Sequence, residues 1–129
     1  MAIEYNVSQN GSRIETFPKG ELDIGETIDY FNRLASDDEI IQGANEIVYF
    51  KDVTDFKLSS SETFKISINY QKTKFTKMLG TTIFVCETDH AYIIGETMRF
   101  YNKIINPKHE IVIVRSEGEI ENVINKLKT

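Results

Sequence analysis

The beginning of the chain alternates between apolar and polar side chains. Apolar residues stand at every second position in IEYNV (residues 3–7), and a second, less regular alternation covers RIETF (13–17). A period of two residues is typical of a β-strand with one buried face. Because Asn10-Gly11 suits the positive φ angles of a tight turn, these residues are predicted to form a β-hairpin.

The next segment changes to a helical period. Residues 22–36 carry apolar side chains at i, i+4, i+7 and i+11, which lie on one face of a helix. Asp23 precedes the first of them and Glu26 follows three residues later, an arrangement that resembles a capping box. This segment is therefore predicted to be a helix.

Short continuous apolar runs predict strands that are covered on both faces, as in parallel sheets. The runs are EIVYF (46–50), TTIFVC (81–86) and EIVIV (110–114). Between the last two, residues 89–105 carry two neighbouring rows of apolar side chains, which predict a helix with a wide, well-buried face. A last helix is predicted after Ser116, with Glu119 as its capping partner.

Residues 62–78 allow two interpretations. Phe64, Ile66 and Ile68 alternate with polar residues as in a strand, whereas Ser59 and Glu62 form the spacing of a capping box. A crossover between two parallel strands is usually helical, so a helix is the prediction.

These elements predict an α/β fold. About five strands form a mixed sheet, in which the N-terminal hairpin precedes parallel strands joined by crossover helices, in the order ββαβαβαβα. Residues 1–129 are predicted to form a single domain, since neither a linker nor an internal repeat is visible.

Charge and composition narrow the function classes. The 129-residue chain has a net charge of −5, and an acidic surface repels phosphate backbones, so no nucleic-acid partner is expected. No apolar run approaches the ~20 residues of a membrane span, so none is expected. The single Cys86 cannot form an internal disulfide and fits a reducing compartment, which predicts a cytoplasmic location.

One stretch of the chain is basic, although the chain as a whole is acidic. The residues between Glu62 and Glu87 include no acid, but they include four lysines: Lys65, Lys72, Lys74 and Lys77. The first interpretation is a solvated helix end, and the alternative is a patch that binds an anion or an acidic partner.

The sequence contains few side chains that could act in catalysis. His90 and His109 are the only histidines, and both are interpreted as solvated. No G-x-S-x-G elbow or glycine-rich phosphate loop is present. Cys86 is interpreted as a core residue, and Cys86 and His90, four residues apart, do not make a zinc site, which needs three or four ligands. We therefore predict no catalytic residue, no metal, no cofactor and no enzymatic activity.

The run DVTDFKLSSSE (52–62) lies where a predicted strand enters a predicted helix. The first interpretation is that Ser59 caps the helix, which contributes ~1 kcal/mol. The second is a phosphorylation switch, in which a phosphate adds about −2 charge at the helix N-terminus and changes a docking face.

The stretch IVYFKDVTDFKLSSSETFKI (47–66) and the order of elements resemble the STAS (sulphate transporter and anti-sigma antagonist) fold. The whole chain resembles small bacterial STAS-like proteins that are sometimes grouped with Sec14-type lipid-binding domains. In the family's anti-sigma antagonists, a strand ends in a Val-Thr-type turn and an Asp-Ser pair starts a helix, whose serine is phosphorylated by a partner kinase. Val53-Thr54 and the serine run match this pattern, whereas Leu58 stands in place of the aspartate.

The resemblance implies a regulatory module that binds a protein partner, of the kind of an anti-sigma kinase. Ser59 and Ser60 are the implied phospho-switch candidates. The predicted partner surface comprises Asp55, Lys57, Ser61, Glu62 and Lys65. Association of identical chains stays open.

The alternative function is binding of a small apolar or anionic ligand. The likeness to Sec14-type domains implies a lipid-like ligand in a groove lined by Tyr92, Phe100 and Tyr101, on the predicted helix 89–105. The ordinary interpretation of these aromatic residues is that they belong to the core.

Overall fold

A computed structural model describes residues 3–56, 59, 61, 62, 64–66, 68, 80–105 and 107–127. The strands are β1 (Glu4–Ser8), β2 (Arg13–Phe17), β3 (Gly20–Leu22), β4 (Asn45–Tyr49), β5 (Val53–Phe56), β6 (Thr82–Val85) and β7 (Ile111–Val114). The helices with described ends are α1 (Ile24–Ser36), α2 (Asp89–Ile105) and α3 (Ile120–Leu127), and a 3-10 turn at Glu117–Glu119 precedes α3.

The main sheet has five strands in the order β1-β2-β4-β6-β7. β1 and β2 are antiparallel, and every other neighbouring pair is parallel. The predicted fold class, a mixed α/β sheet in which a hairpin precedes parallel strands, is confirmed. β3 and β5 form a separate two-stranded parallel sheet that the sequence did not predict, because GEL and VTDF are too short and too polar to show a period.

Two layers of helix cover the sheet. On one side, Val48 and Phe84 belong to the same core cluster as Phe31 of α1 and Met98 of α2, and we call this the α1/α2 face. On the other side, the strand residues pack with α3 in a second cluster, and we call this the α3 face. The strands are therefore covered on both faces, as their continuous apolar runs predict.

The predicted helix starts are confirmed by their hydrogen bonds. The Asp23 side chain accepts from the backbone N–H of Glu26 at 2.9 Å, which caps α1. Ser116 and Glu119 form a reciprocal capping box before α3. Each cap satisfies backbone donors that lack a partner within the helix.

The prediction for α2 is right in extent and wrong for one of its two apolar rows. Ala91 and Met98 are buried against the sheet. Ile93, Phe100 and Ile104, of the second row, are 62%, 61% and 62% exposed. The sheet lies along only one side of this helix, so a row two positions away, about 200° around the axis, points away from it.

The β1–β2 hairpin closes through four residues rather than a two-residue turn. Gln9, Asn10 and Gly11 all have positive φ angles, and Gly11 donates to the Ser8 carbonyl at 3.2 Å. The loop also contacts the segment before β4, because Ile41 N–H donates to the Gly11 carbonyl at 3.1 Å. The tight turn predicted at Asn10-Gly11 is thus a longer loop that is packed on its neighbour.

Candidate functional site

A capping box stands at the serine run, as the sequence predicts. The Glu62 backbone N–H donates to Ser59 Oγ at 3.2 Å, and the Ser59 N–H donates to Glu62 Oε1 at 3.1 Å. The described residues that follow, at 61, 62, 64–66 and 68, have helical geometry. The helical interpretation of this segment therefore holds for its described part, and the residues from 69 to 79 lie outside it.

The strand that leads into this helix is β5, not the central strand β4. After β4 the chain turns at residues 50–52, where Val53 N–H donates to the Phe50 carbonyl at 3.1 Å. β5 then runs parallel to β3 beside the main sheet. The serine run thus follows a strand of the small sheet, and the expectation that it follows a strand of the main sheet is corrected.

Of the predicted partner-surface residues, the structure describes Asp55 on β5 and Ser61, Glu62 and Lys65 on the helix that Ser59 caps. Asp55, Ser59, Ser61 and Lys65 are exposed, and Glu62 is half-buried. Lys57, the switch candidate Ser60 and the lysines at 72, 74 and 77 lie outside the described residues, so their assignments stay predictions.

The three predicted groove residues lie along the outer side of α2. Tyr92, Phe100 and Tyr101 border a shallow surface depression. The Tyr101 ring meets Phe64 edge to face, with 5.9 Å between ring centroids. The aromatic surface of α2 therefore adjoins the helix that Ser59 caps.

A buried polar network crosses the α1/α2 face of the sheet. Its six side chains are at most 4% exposed: Thr16, Tyr30, Glu46, Thr82, Asn102 and His109. Glu46 and Thr82 are cross-strand partners in β4 and β6. The Tyr30 hydroxyl donates to Glu46 Oε2 at 2.5 Å, and the Thr82 hydroxyl donates to Glu46 Oε1 at 2.8 Å. Glu46 thus accepts from both α1 and β6.

The direction of the remaining hydrogen bonds follows, since each hydroxyl has one proton to donate. Thr16 Oγ1 lies 2.6 Å from the Tyr30 oxygen and must donate to it. His109 Nε2 lies 2.9 Å from Thr82 Oγ1, and it donates to that oxygen in the tautomer that carries the ring proton on Nε2. The two oxygens of one carboxyl group therefore accept from hydroxyls on two different elements, and buried hydrogen bonds between elements make a core rigid.

A cavity of about 70 Å³ adjoins this network, between the sheet and the helices. Its wall is mostly apolar and includes Phe31, Ile66 and Met98, with Glu46 and Tyr30 among the polar exceptions. Water occupies roughly 30 Å³ per molecule in the liquid, so the cavity admits a very small ligand or the end of an aliphatic chain.

The thiol and the histidines occupy different environments. Cys86 is fully buried, and desolvation raises its pKa to about 12, which opposes formation of a thiolate. This agrees with the predicted role of Cys86 as a core residue.

The two histidines differ in exposure. His90 is exposed, but His109 is only 2% exposed, so the interpretation of His109 as solvated is wrong. Its backbone carbonyl accepts from Asn102 Nδ2 at 2.6 Å, which ties α2 to the turn before β7.

Comparison with solved structures places this arrangement among known folds. A structure of the anti-sigma factor antagonist SpoIIAA in its unphosphorylated form superposes with a TM-score of 0.58, over 98% of both chains and at 10% sequence identity. The chain has the SpoIIAA fold. The STAS fold implied by residues 47–66 is therefore confirmed. Neither a protein-family model nor a curated protein matches the sequence.

The SpoIIAA fold here holds two buried polar residues, Glu46 and Thr82, that the sequence patterns do not predict. In the sequence, Glu46 is only the first residue of the apolar run EIVYF, and its partner Thr82 is part of the run TTIFVC. An acid as the first residue of the run EIVYF is the signal that could have indicated a buried carboxyl group.

In the described ranges, no helix is both long and apolar enough to cross a bilayer.

Proposed function

We propose that this chain is a non-enzymatic regulatory module that binds a protein partner through the surface around the Ser59 cap. The observation that carries the proposal is the capping box at the start of a helix, on a fold shared with an anti-sigma factor antagonist. Exposed Asp55 and Lys65 give this surface both signs of charge, which suits a polar protein interface and specific recognition. A protein of the anti-sigma kinase type is the proposed partner class, and the cytoplasm is the proposed location.

The same cap supports a phosphorylation switch at Ser59. A phosphate on Ser59 Oγ would gain from the helix N-terminus but would stand beside the Glu62 carboxylate, which now accepts from the Ser59 N–H. Repulsion between the two anions would open one arm of the capping box. The modification would therefore change both the charge and the local geometry of the docking surface. Ser60 is the second candidate, by its place in the sequence.

Affinity capture with purified chain as bait tests this function. We expect Ser59→Asp to weaken retention of the partner roughly tenfold, because it adds a charge at the docking surface. Ser59→Asn is the matched control, since Asp and Asn cap helices about equally well and differ mainly in charge. Ser60→Asp is tested in parallel. Equal retention by the wild type and all three variants would exclude the switch.

A second candidate function is binding of a small apolar ligand, and the cavity beside Glu46 is the observation that favours it. A cavity of about 70 Å³ fits the end of an aliphatic chain rather than a whole lipid. The carboxyl group at its wall favours a ligand that donates a hydrogen bond over an anionic one. The groove at Tyr92, Phe100 and Tyr101 is the alternative place for a larger, lipid-like ligand.

Native mass spectrometry after gentle purification tests the ligand function. We expect a co-purified small molecule, and in its absence a rise in melting temperature with 1-hexanol but not with hexanoate. Val48→Phe, which fills the cavity from the sheet, should abolish either effect. An apo mass together with no response to 1-hexanol would remove this candidate.

A further inference from the structure

The outer side of α2 carries a row of side chains with the spacing of a helix–helix seam. Ile93, Thr97, Phe100 and Ile104 follow one another at intervals of four, three and four residues. Intervals that alternate between three and four keep side chains on one stripe that faces a partner helix. The three apolar members are 62%, 61% and 62% exposed.

Single apolar residues on a protein surface are common and need no explanation. Here, in contrast, three exposed apolar side chains lie in one row. The stripe lies opposite the side on which Ala91, Gly95 and Met98 pack against the sheet, so α2 is already anchored without it. A contiguous exposed apolar patch on an anchored helix marks an interaction site. Tyr92 beside it, at 37% exposed, widens the patch.

The charges along the stripe indicate what covers it. Glu96, which pairs with Arg99 one turn along the same helix at 3.3 Å, and Lys103 lie seven residues apart, two turns of the helix, and therefore on the same flank of the stripe. If two α2 helices pack antiparallel about a two-fold axis between Thr97 and Phe100, Glu96 of one copy faces Lys103 of the other. The symmetry makes this contact twice, whereas parallel packing brings neither pair together.

We propose that two copies of this chain associate through this stripe, with their α2 helices antiparallel. Thr97 packs against Phe100 of the second copy at the centre, and Ile93 packs against Ile104 at each end. The proposal is independent of the partner surface at Ser59. Four side chains per copy make a small interface, so we expect a weak and reversible dimer.

Sedimentation equilibrium of the whole chain between micromolar and near-millimolar concentration tests the proposal. The wild type should show a monomer–dimer equilibrium, and Phe100→Asp should remain monomeric. Glu96→Lys alone, and Lys103→Glu alone, should weaken association roughly tenfold or more, because each brings like charges together twice. The double variant should recover the wild-type constant. Lys126→Glu on α3, across the sheet, is the control and should associate like the wild type.

A mixture of the Glu96→Lys and Lys103→Glu chains tests whether the two α2 helices of the dimer are antiparallel. The Glu96→Lys chain carries two positive charges on the flank and the Lys103→Glu chain two negative ones, so the mixture should form heterodimers. Circular dichroism confirms that each variant is folded. A wild type that stays monomeric at all concentrations overturns the proposal, as does a mixture that associates no better than its components.

Discussion

Glu46→Ala is expected to lower the free energy of unfolding by about 3 kcal/mol. The substitution removes the acceptor of two buried hydrogen bonds, those from the Tyr30 and Thr82 hydroxyls, and each such loss costs ~1–3 kcal/mol. Removal of a buried carboxyl group returns part of this cost, which keeps the estimate below the sum of the two penalties. Urea denaturation followed by circular dichroism measures the change.

A double-mutant cycle with Tyr30→Phe tests whether the cost arises from the network. Tyr30→Phe alone should cost ~1 kcal/mol, but much less in the Glu46→Ala background, where no carboxyl group remains to accept. Glu4→Gln, at an exposed position of β1, is the control and should stay within ~0.5 kcal/mol of the wild type. Additive costs in the cycle would contradict the network as described.

Gly11→Ala is the second substitution with a large expected effect, a loss of about 3 kcal/mol. Gly11 has a φ of +87°, and a Cβ atom there would lie 2.2 Å from the Glu39 carbonyl oxygen. The backbone angle costs ~1–2 kcal/mol for a residue with a Cβ, and displacing the segment before β4 costs a further ~1–3 kcal/mol. The hairpin and that segment should therefore loosen together.

Gly43→Ala separates the two contributions in the same urea experiment. Gly43 has a similar φ of +83°, but a Cβ atom there would meet nothing within 4 Å. It should therefore lose only the ~1–2 kcal/mol of the backbone angle. Equal losses for the two variants would show that the contact with Glu39 contributes nothing.

Local patterns predicted the elements whose signals lie within a few residues. Asp23, Ser59 and Ser116 were identified as helix caps because each has its capping partner three positions along the chain. The parallel strands were recognisable from their continuous apolar runs. Such features depend on backbone geometry that neighbouring residues determine by themselves.

The features that could not be predicted depend on which elements become neighbours in space. The Glu46–Thr82 contact requires the register of β4 against β6, across 36 residues of sequence. The burial of His109 depends on Asn102 and on the packing of α2. The outer row of α2 looked like core because periodicity reports an apolar face but not whether anything lies against it.

The affinity of the captured partner for a docking-surface variant tests the central claim most directly, because it does not depend on phosphorylation. Reversing an exposed charge beside the cap with Lys65→Glu should raise the dissociation constant roughly tenfold, while Lys126→Glu on α3 should leave it unchanged. Equal constants for the wild type and both variants would show that the partner does not bind at the capped helix.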